Sequence, residues 1–91
     1  MKIVTVCGMG FGTSLMVKMT IDDILSEIGY KAEVEASDIG SIMGKEVDLI
    51  VTASDMESQI SGVNADVIYL KFMTNKQEIR EKLLEYLNNK N

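Results

Sequence analysis

The feature that most constrains this 91-residue chain is a regular alternation of strand-like and helix-like segments. Short runs that are apolar or alternate in polarity predict strands at residues 3–6, 31–36, 47–52 and 66–70. Segments with helical spacing of apolar residues follow each strand and begin near residues 14, 38, 55 and 74. The segment that begins near residue 55 is a short helix or a structured loop. Because parallel strands need crossover connections, this order predicts an α/β fold with helices on both faces of a parallel sheet.

The character of each run also predicts the order of the strands. Residues 31–36 alternate charged and apolar side chains, which is typical of a half-exposed strand at a sheet edge. Residues 3–6 and 47–52 are apolar on both sides and belong in the middle. The predicted order is therefore 2-1-3-4, in a single three-layer domain over residues 1–91 with a flavodoxin-like or phosphatase-like topology. In such a sheet, ligands bind at the carboxyl ends of strands one and three.

Apolar spacing further predicts which helical side chains face the core. The first helix is expected to bury a stripe that comprises Val17, Ile21, Ile24, Leu25 and Ile28. Gly29 follows at the position where a glycine closes a helix. The last helix, opened by the capping-box spacing of residues 74–77, is expected to bury Ile79, Leu83, Tyr86 and Leu87.

Composition excludes several kinds of site. The chain has no His and one Cys, which excludes a Cys/His zinc site, an intrachain disulfide and any catalytic pair that uses His as the base. A net charge of −5 repels polyanions, so we expect no nucleic-acid partner. No apolar run approaches the ~18 residues of a membrane span and no signal-peptide pattern opens the chain, so we expect a cytoplasmic protein without membrane insertion. The residues present require no metal or other cofactor.

The strongest functional signal is a glycine-rich stretch between the first strand and the first helix. Its members, in chain order, are Cys7, Gly8, Met9, Gly10, Phe11, Gly12, Thr13 and Ser14. Alternate glycines allow backbone N–H groups to turn inward as an anion-binding nest, to which the helix adds its positive dipole end. Thr13 and Ser14 are placed to cap the helix and to donate hydroxyl groups to an oxyanion. The stretch predicts a phosphate site whose N–H groups also stabilise the thiolate of Cys7 as a nucleophile.

Other interpretations of this stretch fit its residues less well than the phosphate site does. The glycine spacing differs from the G-x-G-x-x-G of dinucleotide loops, and the Walker spacing fails because Lys18 falls well inside the helix. A simpler interpretation makes Cys7 a small buried apolar residue and the glycines a tight turn. Three alternating glycines followed by Thr-Ser at a strand–helix junction favour the anion site. A non-catalytic anion-binding adaptor, which needs no reactive thiol, is a further possibility.

Residues 7–16 resemble the cysteine loop of the IIB components of bacterial sugar phosphotransferase systems, and the likeness extends over nearly the whole chain. It is closest to the ascorbate type, in which a similar loop leads into a Met-Lys-Met helix, here Met16-Val17-Lys18-Met19. The galactitol and lactose/cellobiose types are related. The resemblance implies that Cys7 accepts a phosphoryl group from a histidine of a IIA protein. It also implies transfer from Cys7 to a sugar held by the membrane-embedded IIC protein, which makes the chain a protein-phosphocysteine–sugar phosphotransferase.

A low-molecular-weight tyrosine phosphatase or arsenate reductase shares the predicted fold and a Cys-first phosphate loop. That loop needs an Arg six residues after the Cys to clamp the phosphate, and the residue there is Thr13. The chain has no Pro, so the Asp-Pro pair that protonates a leaving group is absent as well. Without clamp or acid, hydrolysis should be slow, which favours a phosphoryl carrier over a phosphatase.

Several side chains near the loop suggest a surface for partners. Phe11, at the tip of the loop, is expected to be exposed, and flexible methionines such as Met9, Met16 and Met19 suit a surface that docks different proteins. For Met16, core filling is an equal alternative. Ser54, after the third strand, is a further candidate hydroxyl donor to the phosphate.

Overall fold

The computed structural model describes residues 1–6, 11–37, 46–54, 60, 65–72 and 75–90. Several expectations fall outside these residues. They concern Cys7, Gly8, Met9 and Gly10 of the glycine-rich stretch, the helical turn after residue 38, most of the segment that begins at residue 55, and Thr74.

A single sheet of four parallel strands forms the centre of the described structure. The strands are β1 (Lys2–Val6), β2 (Glu33–Ser37), β3 (Leu49–Ala53) and β4 (Asp66–Leu70). Their order is β2-β1-β3-β4, which confirms the predicted order and the edge position of the charge-alternating strand. β2 and β3 begin two residues later than predicted. The start of each strand depends on where backbone pairing with the neighbouring strand begins, and the polarity pattern of the sequence does not show this.

Two long helices, α1 (Phe11–Ile28) and α2 (Lys76–Lys90), pack on one face of the sheet. Between them and the strands lies the larger buried cluster: Ile3, Val17, Ile21, Ile24, Leu25, Val34, Leu49, Val51, Ile68, Leu70, Ile79, Leu83 and Leu87. On the opposite face, a second cluster consists of Val4, Val6, Ile50 and Ile60. The helical turn predicted after residue 38 and most of the segment predicted from residue 55 lie outside the described residues. No helix of the described ranges is long and apolar enough to cross a membrane.

The amino-acid pattern predicts the buried face of α1 with one error. Val17, Ile21, Ile24 and Leu25 are buried, but Ile28 is 42% exposed. Ile28 is the last residue of the helix, and the chain turns immediately after it, so that Tyr30 packs against the core cluster instead.

Gly29 ends α1 as predicted. Its φ is 73°, its N–H donates to the Ser26 carbonyl at 3.3 Å, and the Tyr30 N–H donates to the Leu25 carbonyl at 2.9 Å. This pair of bonds is a Schellman motif, which satisfies carbonyl groups that the helix end leaves without partners.

The start of α2 differs by one residue from the predicted capping box. Asn75 is the N-cap, because its Oδ1 accepts the N–H groups of Gln77 and Glu78 at 3.1 and 3.2 Å. The Glu78 carboxylate accepts the N–H groups of Lys71 and Phe72 at 2.7 and 2.9 Å, which ties the end of β4 to the first turn of α2. The prediction of residues 74–77 as the capping box is therefore wrong in register, since a Thr and an Asn in succession both suit an N-cap.

The carboxyl group of Glu78 has a lowered pKa. Burial raises this pKa, but the N–H groups of Lys71 and Phe72 and the ammonium of Lys82 together lower it further than burial raises it. The carboxylate therefore stays charged at neutral pH and holds both N–H groups.

Candidate anion site at the carboxyl end of the sheet

The carboxyl end of the sheet carries a row of residues centred on Val6, the last residue of β1. Val6 pairs in register with Ser37 on β2 and with Thr52 on β3, and all three are buried. The Thr52 hydroxyl donates to the Val6 carbonyl oxygen at 2.9 Å. The residue that precedes Cys7 in the chain is thus held by the neighbouring strand through a side chain.

The first turn of α1 contains four of the predicted phosphate-binding residues. Phe11, Gly12, Thr13 and Ser14 all have helical backbone. N–H groups in the first turn of a helix have no carbonyl partner within the helix, and the dipole of an 18-residue helix is positive at this end. This part of the stretch can therefore bind an anion through its backbone.

Two details of the sequence prediction are wrong here. α1 begins at Phe11, not at Ser14, so Thr13 and Ser14 lie within the helix and neither occupies the N-cap position. Among the described residues only Gly29 has a positive φ, so Gly12 does not use the freedom expected of it. Glycine is unfavourable in a helix by roughly 1 kcal/mol, which made the stretch resemble a loop, but its first turn is helical nonetheless.

Lys18, the first basic residue after the stretch in the sequence, and Arg80, the single Arg of the chain, are both paired with carboxylates. Lys18 Nζ lies 2.7 Å from Asp22 Oδ2 on the next turn of α1. Arg80 on α2 donates to both carboxylate oxygens of Glu27 at 2.6 and 3.3 Å, and the pKa of Glu27 is lowered by this hydrogen bond and by the charge of Arg80. Arg80 therefore binds near the far end of α1 from the glycine-rich stretch.

An apolar patch covers the exposed side of the N-terminal half of α1. Leu15, Met16 and Met19 form this α1 patch, and they are 48%, 52% and 62% exposed. Spacings of three and four residues place them next to one another on the helix surface. The α1 patch lies away from the Arg80–Glu27 pair at the C-terminal end of α1, and its side chains are exposed to solvent. Core filling by Met16, one of the two predicted alternatives, is therefore wrong.

Sequence reasoning missed some features of this end. Thr52 had no role assigned, although a hydroxyl at the end of an otherwise aliphatic buried strand is a usable signal. Phe72 is 65% exposed just after β4 and was also missed. Ser54 is exposed directly after β3, at the end of the sheet where it was expected. No group of three or more His, Cys, Asp or Glu side chains suited to a metal occurs in the described ranges.

The chain resembles known proteins over nearly its full length. The family model for the lactose/cellobiose-specific IIB subunit of the phosphotransferase system matches residues 2–85. The ascorbate-specific EIIB component of Mycoplasma pneumoniae is 30% identical over 90 residues, which are 96% of this chain and 95% of that protein. The solved lactose-specific IIB domain of Streptococcus pneumoniae has 19% identity and a TM-score of 0.64, covering 97% of this chain and 95% of that one.

The chain belongs to the phosphotransferase-system IIB family. It is thus a sugar-specific component of a phosphotransferase system, as the cysteine loop predicted. The structural likeness agrees with the flavodoxin-like α/β fold.

Proposed function

We propose that this chain carries a phosphoryl group on Cys7 from a IIA phosphohistidine to a sugar held by a IIC membrane transporter. The observation that supports this most is the arrangement around the glycine-rich stretch. It begins directly after Val6, whose carbonyl is held by Thr52, and it runs into the first turn of α1 with its free N–H groups. In this proposal residues 1–91 act as one domain in the cytoplasm, without inserting into the membrane.

Transfer would proceed by two in-line displacements at phosphorus. The Cys7 thiolate attacks the phosphorus, so that an S–P bond forms while the N–P bond of the phosphohistidine breaks and the imidazole leaves. A sugar hydroxyl then attacks, the O–P bond forms, the hydroxyl loses its proton to solvent or to the transporter, and the thiolate is regenerated. The backbone N–H groups of Gly8, Met9 and Gly10 and of residues 11–14 are proposed to stabilise the equatorial oxygens.

The arrangement of cations favours a carrier over a hydrolase. Thr13 occupies the position of the phosphatase Arg, and the one Arg of the chain is bound to Glu27. Lys18 is paired with Asp22. With neither a guanidinium clamp nor an acid for a leaving group, a phosphocysteine should persist until an acceptor arrives.

The partner surface is proposed to include the α1 patch. Transfer from one protein side chain to another requires direct contact around Cys7, and the α1 patch adjoins the helix turn that holds Phe11. Flexible methionines can adapt to two partners of different shape, the IIA donor and the IIC transporter. For the final acceptor we propose an ascorbate-like sugar, on the strength of the 30% identity to an ascorbate-specific EIIB component along nearly the full length.

The decisive experiment supplies phosphoenolpyruvate, the general phosphotransfer proteins and candidate IIA proteins to the purified chain. Intact mass should increase by one phosphoryl group, and peptide mapping should locate it on Cys7. The variant Cys7→Ser, checked for its fold by circular dichroism, should take up no label. Thr13→Ser, which keeps a hydroxyl group within the same turn, is a matched control that should be labelled.

Three other results would contradict the carrier. Steady release of phosphate from an aryl phosphate, lost in Cys7→Ser, would show a phosphatase. Anion binding that is equal in the wild type and in Cys7→Ser, without any label, would show an adaptor. Label on another residue would exclude Cys7 as the carrier.

A further inference from the structure

Thr52 combines complete burial with a hydrogen bond to the residue before Cys7. Its side chain is 0% exposed, and its Oγ1 donates to the Val6 carbonyl at 2.9 Å. The two residues are register partners on the central strands β1 and β3. The bond therefore lies at the carboxyl end of the sheet, where β1 leads into the glycine-rich stretch.

Packing alone does not account for a threonine here. The preceding buried residues of β3, Leu49, Ile50 and Val51, are all aliphatic, and a valine has nearly the shape of a threonine. A buried hydroxyl is costly unless it makes a hydrogen bond, so Thr52 depends on the Val6 carbonyl as its acceptor. What the hydroxyl adds over a methyl group is a second restraint on that carbonyl, beside the backbone pairing of β1 and β3.

The Val6 carbonyl belongs to the peptide unit that leads into Cys7. Because a peptide unit is planar, a bond that restrains this carbonyl also restrains the N–H of the same unit, which belongs to Cys7. A hydrogen bond accepted by the oxygen also polarises the unit, which makes its N–H a stronger donor. One side chain can thus set both the direction and the strength of a donor at the start of the stretch.

We propose that Thr52 is a positioning residue for phosphoryl transfer, which orients the Val6–Cys7 peptide unit toward the phosphoryl group. The inference rests on the proposed role of Cys7 as the phosphorylated residue. Thr52 touches neither the sulfur nor the phosphoryl group in this account. It acts through the backbone, so its loss should affect the reactivity of Cys7 more than the stability of the fold.

The test compares Thr52→Val, which keeps the shape and loses the hydroxyl, with Thr52→Ser, which keeps the hydroxyl. Two quantities are measured: the rate of phosphorylation by the IIA donor, and the pH at which alkylation of Cys7 by iodoacetamide is half-maximal. We expect Thr52→Val to slow phosphorylation about tenfold, the effect of roughly one hydrogen bond, and to move the alkylation profile to higher pH. Thr52→Ser should stay within about twofold of the wild type on the same scale.

Two controls separate positioning from a general loosening of the sheet. Ile3→Val removes a methyl group from β1 on the helix-covered face of the sheet, and Ile50→Val removes one from the buried cluster that contains Val6. Both should leave the rate and the alkylation profile unchanged, with urea titrations confirming that all variants are folded. Thr52→Ala replaces the valine variant if that protein does not fold.

The outcomes also separate this inference from the proposed function. A wild-type protein that takes up no label on Cys7 overturns the carrier, and the inference with it. Normal labelling of both the wild type and Thr52→Val, with one alkylation profile, overturns the positioning role alone. Equal slowing by Thr52→Val and Ile50→Val would likewise overturn it.

Discussion

The two ends of the parallel sheet differ in the groups that their described residues present. At the amino end, backbone hydrogen bonds join the starts of all four strands. The Glu33 N–H donates to the Met1 carbonyl at 2.9 Å, and the Asp48 N–H donates to the Lys2 carbonyl at 3.0 Å. The Asp66 N–H donates to the Asp48 carbonyl at 3.2 Å. The Asp48 carboxylate also accepts the Lys2 N–H at 2.7 Å. This end is a continuous backbone network.

At the carboxyl end, the strands are also paired in register, and the described residues add a side-chain bond and a helix start. Thr52 holds the end of β1 through its hydroxyl, and the α1 patch exposes Leu15, Met16 and Met19 to solvent. The N–H groups of the first turn of α1 add further binding capacity. We infer that the amino end mainly holds the strands together, while the carboxyl end, with the helix-start N–H groups and the α1 patch, is the end suited to binding.

The largest expected effect on stability comes from truncating the core near the amino end. Leu49, the first residue of β3, is fully buried in the larger cluster. We expect Leu49→Ala to lower the free energy of unfolding by about 2–5 kcal/mol in a urea titration. The protein that remains folded should still be phosphorylated to completion. A folded Leu49→Ala protein that takes up no phosphoryl group would show that the amino end also affects phosphorylation.

The two glycines at opposite ends of α1 should respond to alanine in opposite directions. Gly29→Ala forces a side chain into a left-handed conformation and should destabilise the protein by about 1–2 kcal/mol. Gly12 has helical backbone, so Gly12→Ala should stabilise it by about 0.5–1 kcal/mol. Both values come from urea titrations under one set of conditions. Destabilisation by Gly12→Ala would show that this backbone needs glycine after all.

The Glu78 carboxylate provides a pH-dependent test of the structure at the carboxyl end. Because its pKa is lower in the folded protein than its ordinary 4.5, its stabilisation is present above that value and is lost as the pH falls through the folded-state pKa. Glu78→Gln should cost about 1 kcal/mol at neutral pH, through weaker hydrogen bonds to Lys71 and Phe72. Urea titrations should show the two proteins converging as the pH falls below 4.5 and through the folded-state pKa of Glu78. Glu85→Gln, at an exposed position of the same helix, is the control, and a difference that persists in acid would contradict the role of Glu78.

The smallest stability effect is expected in the α1 patch, where function should change most. Met19 is largely exposed, so Met19→Gln should alter the free energy of unfolding by no more than about 0.5 kcal/mol. Phosphorylation by the IIA donor should nevertheless slow, because the donor loses an apolar contact. Ile28→Gln is the matched control, since Ile28 is an exposed apolar residue at the other end of the same helix. Equal effects of the two variants on the phosphorylation rate would show that the α1 patch is not part of the docking surface.

Strand order could be predicted from the sequence because one strand carries a clear pattern. The alternation of charges around Val34 identifies an edge, and the aliphatic residues of β1 and β3 require cover on both faces. The buried faces of both helices could also be predicted, since helical spacing depends only on local geometry. Ile28 fails because burial of a helix end depends on where the chain turns next.

The candidate site was only partly predictable, for a different reason. The cysteine loop identified the family, but the helical start at Phe11 was missed because glycine is a weak signal for a helix. The bond from Thr52 to Val6 joins residues 46 positions apart, so it follows from strand register, which no local pattern specifies. The loop residues Cys7, Gly8, Met9 and Gly10 stay predictions, since they lie outside the described residues.

The most direct test of the contrast between the two ends is an amide proton–nitrogen spectrum recorded before and after stoichiometric phosphorylation. We expect the largest shifts at the amides of residues 7–14 and 52–54, at the carboxyl end. The amides of Glu33, Asp48 and Asp66, in the network at the amino end, should hardly move. Shifts concentrated at those three amides, with residues 7–14 unchanged, would contradict the assignment of phosphoryl transfer to the carboxyl end of the sheet.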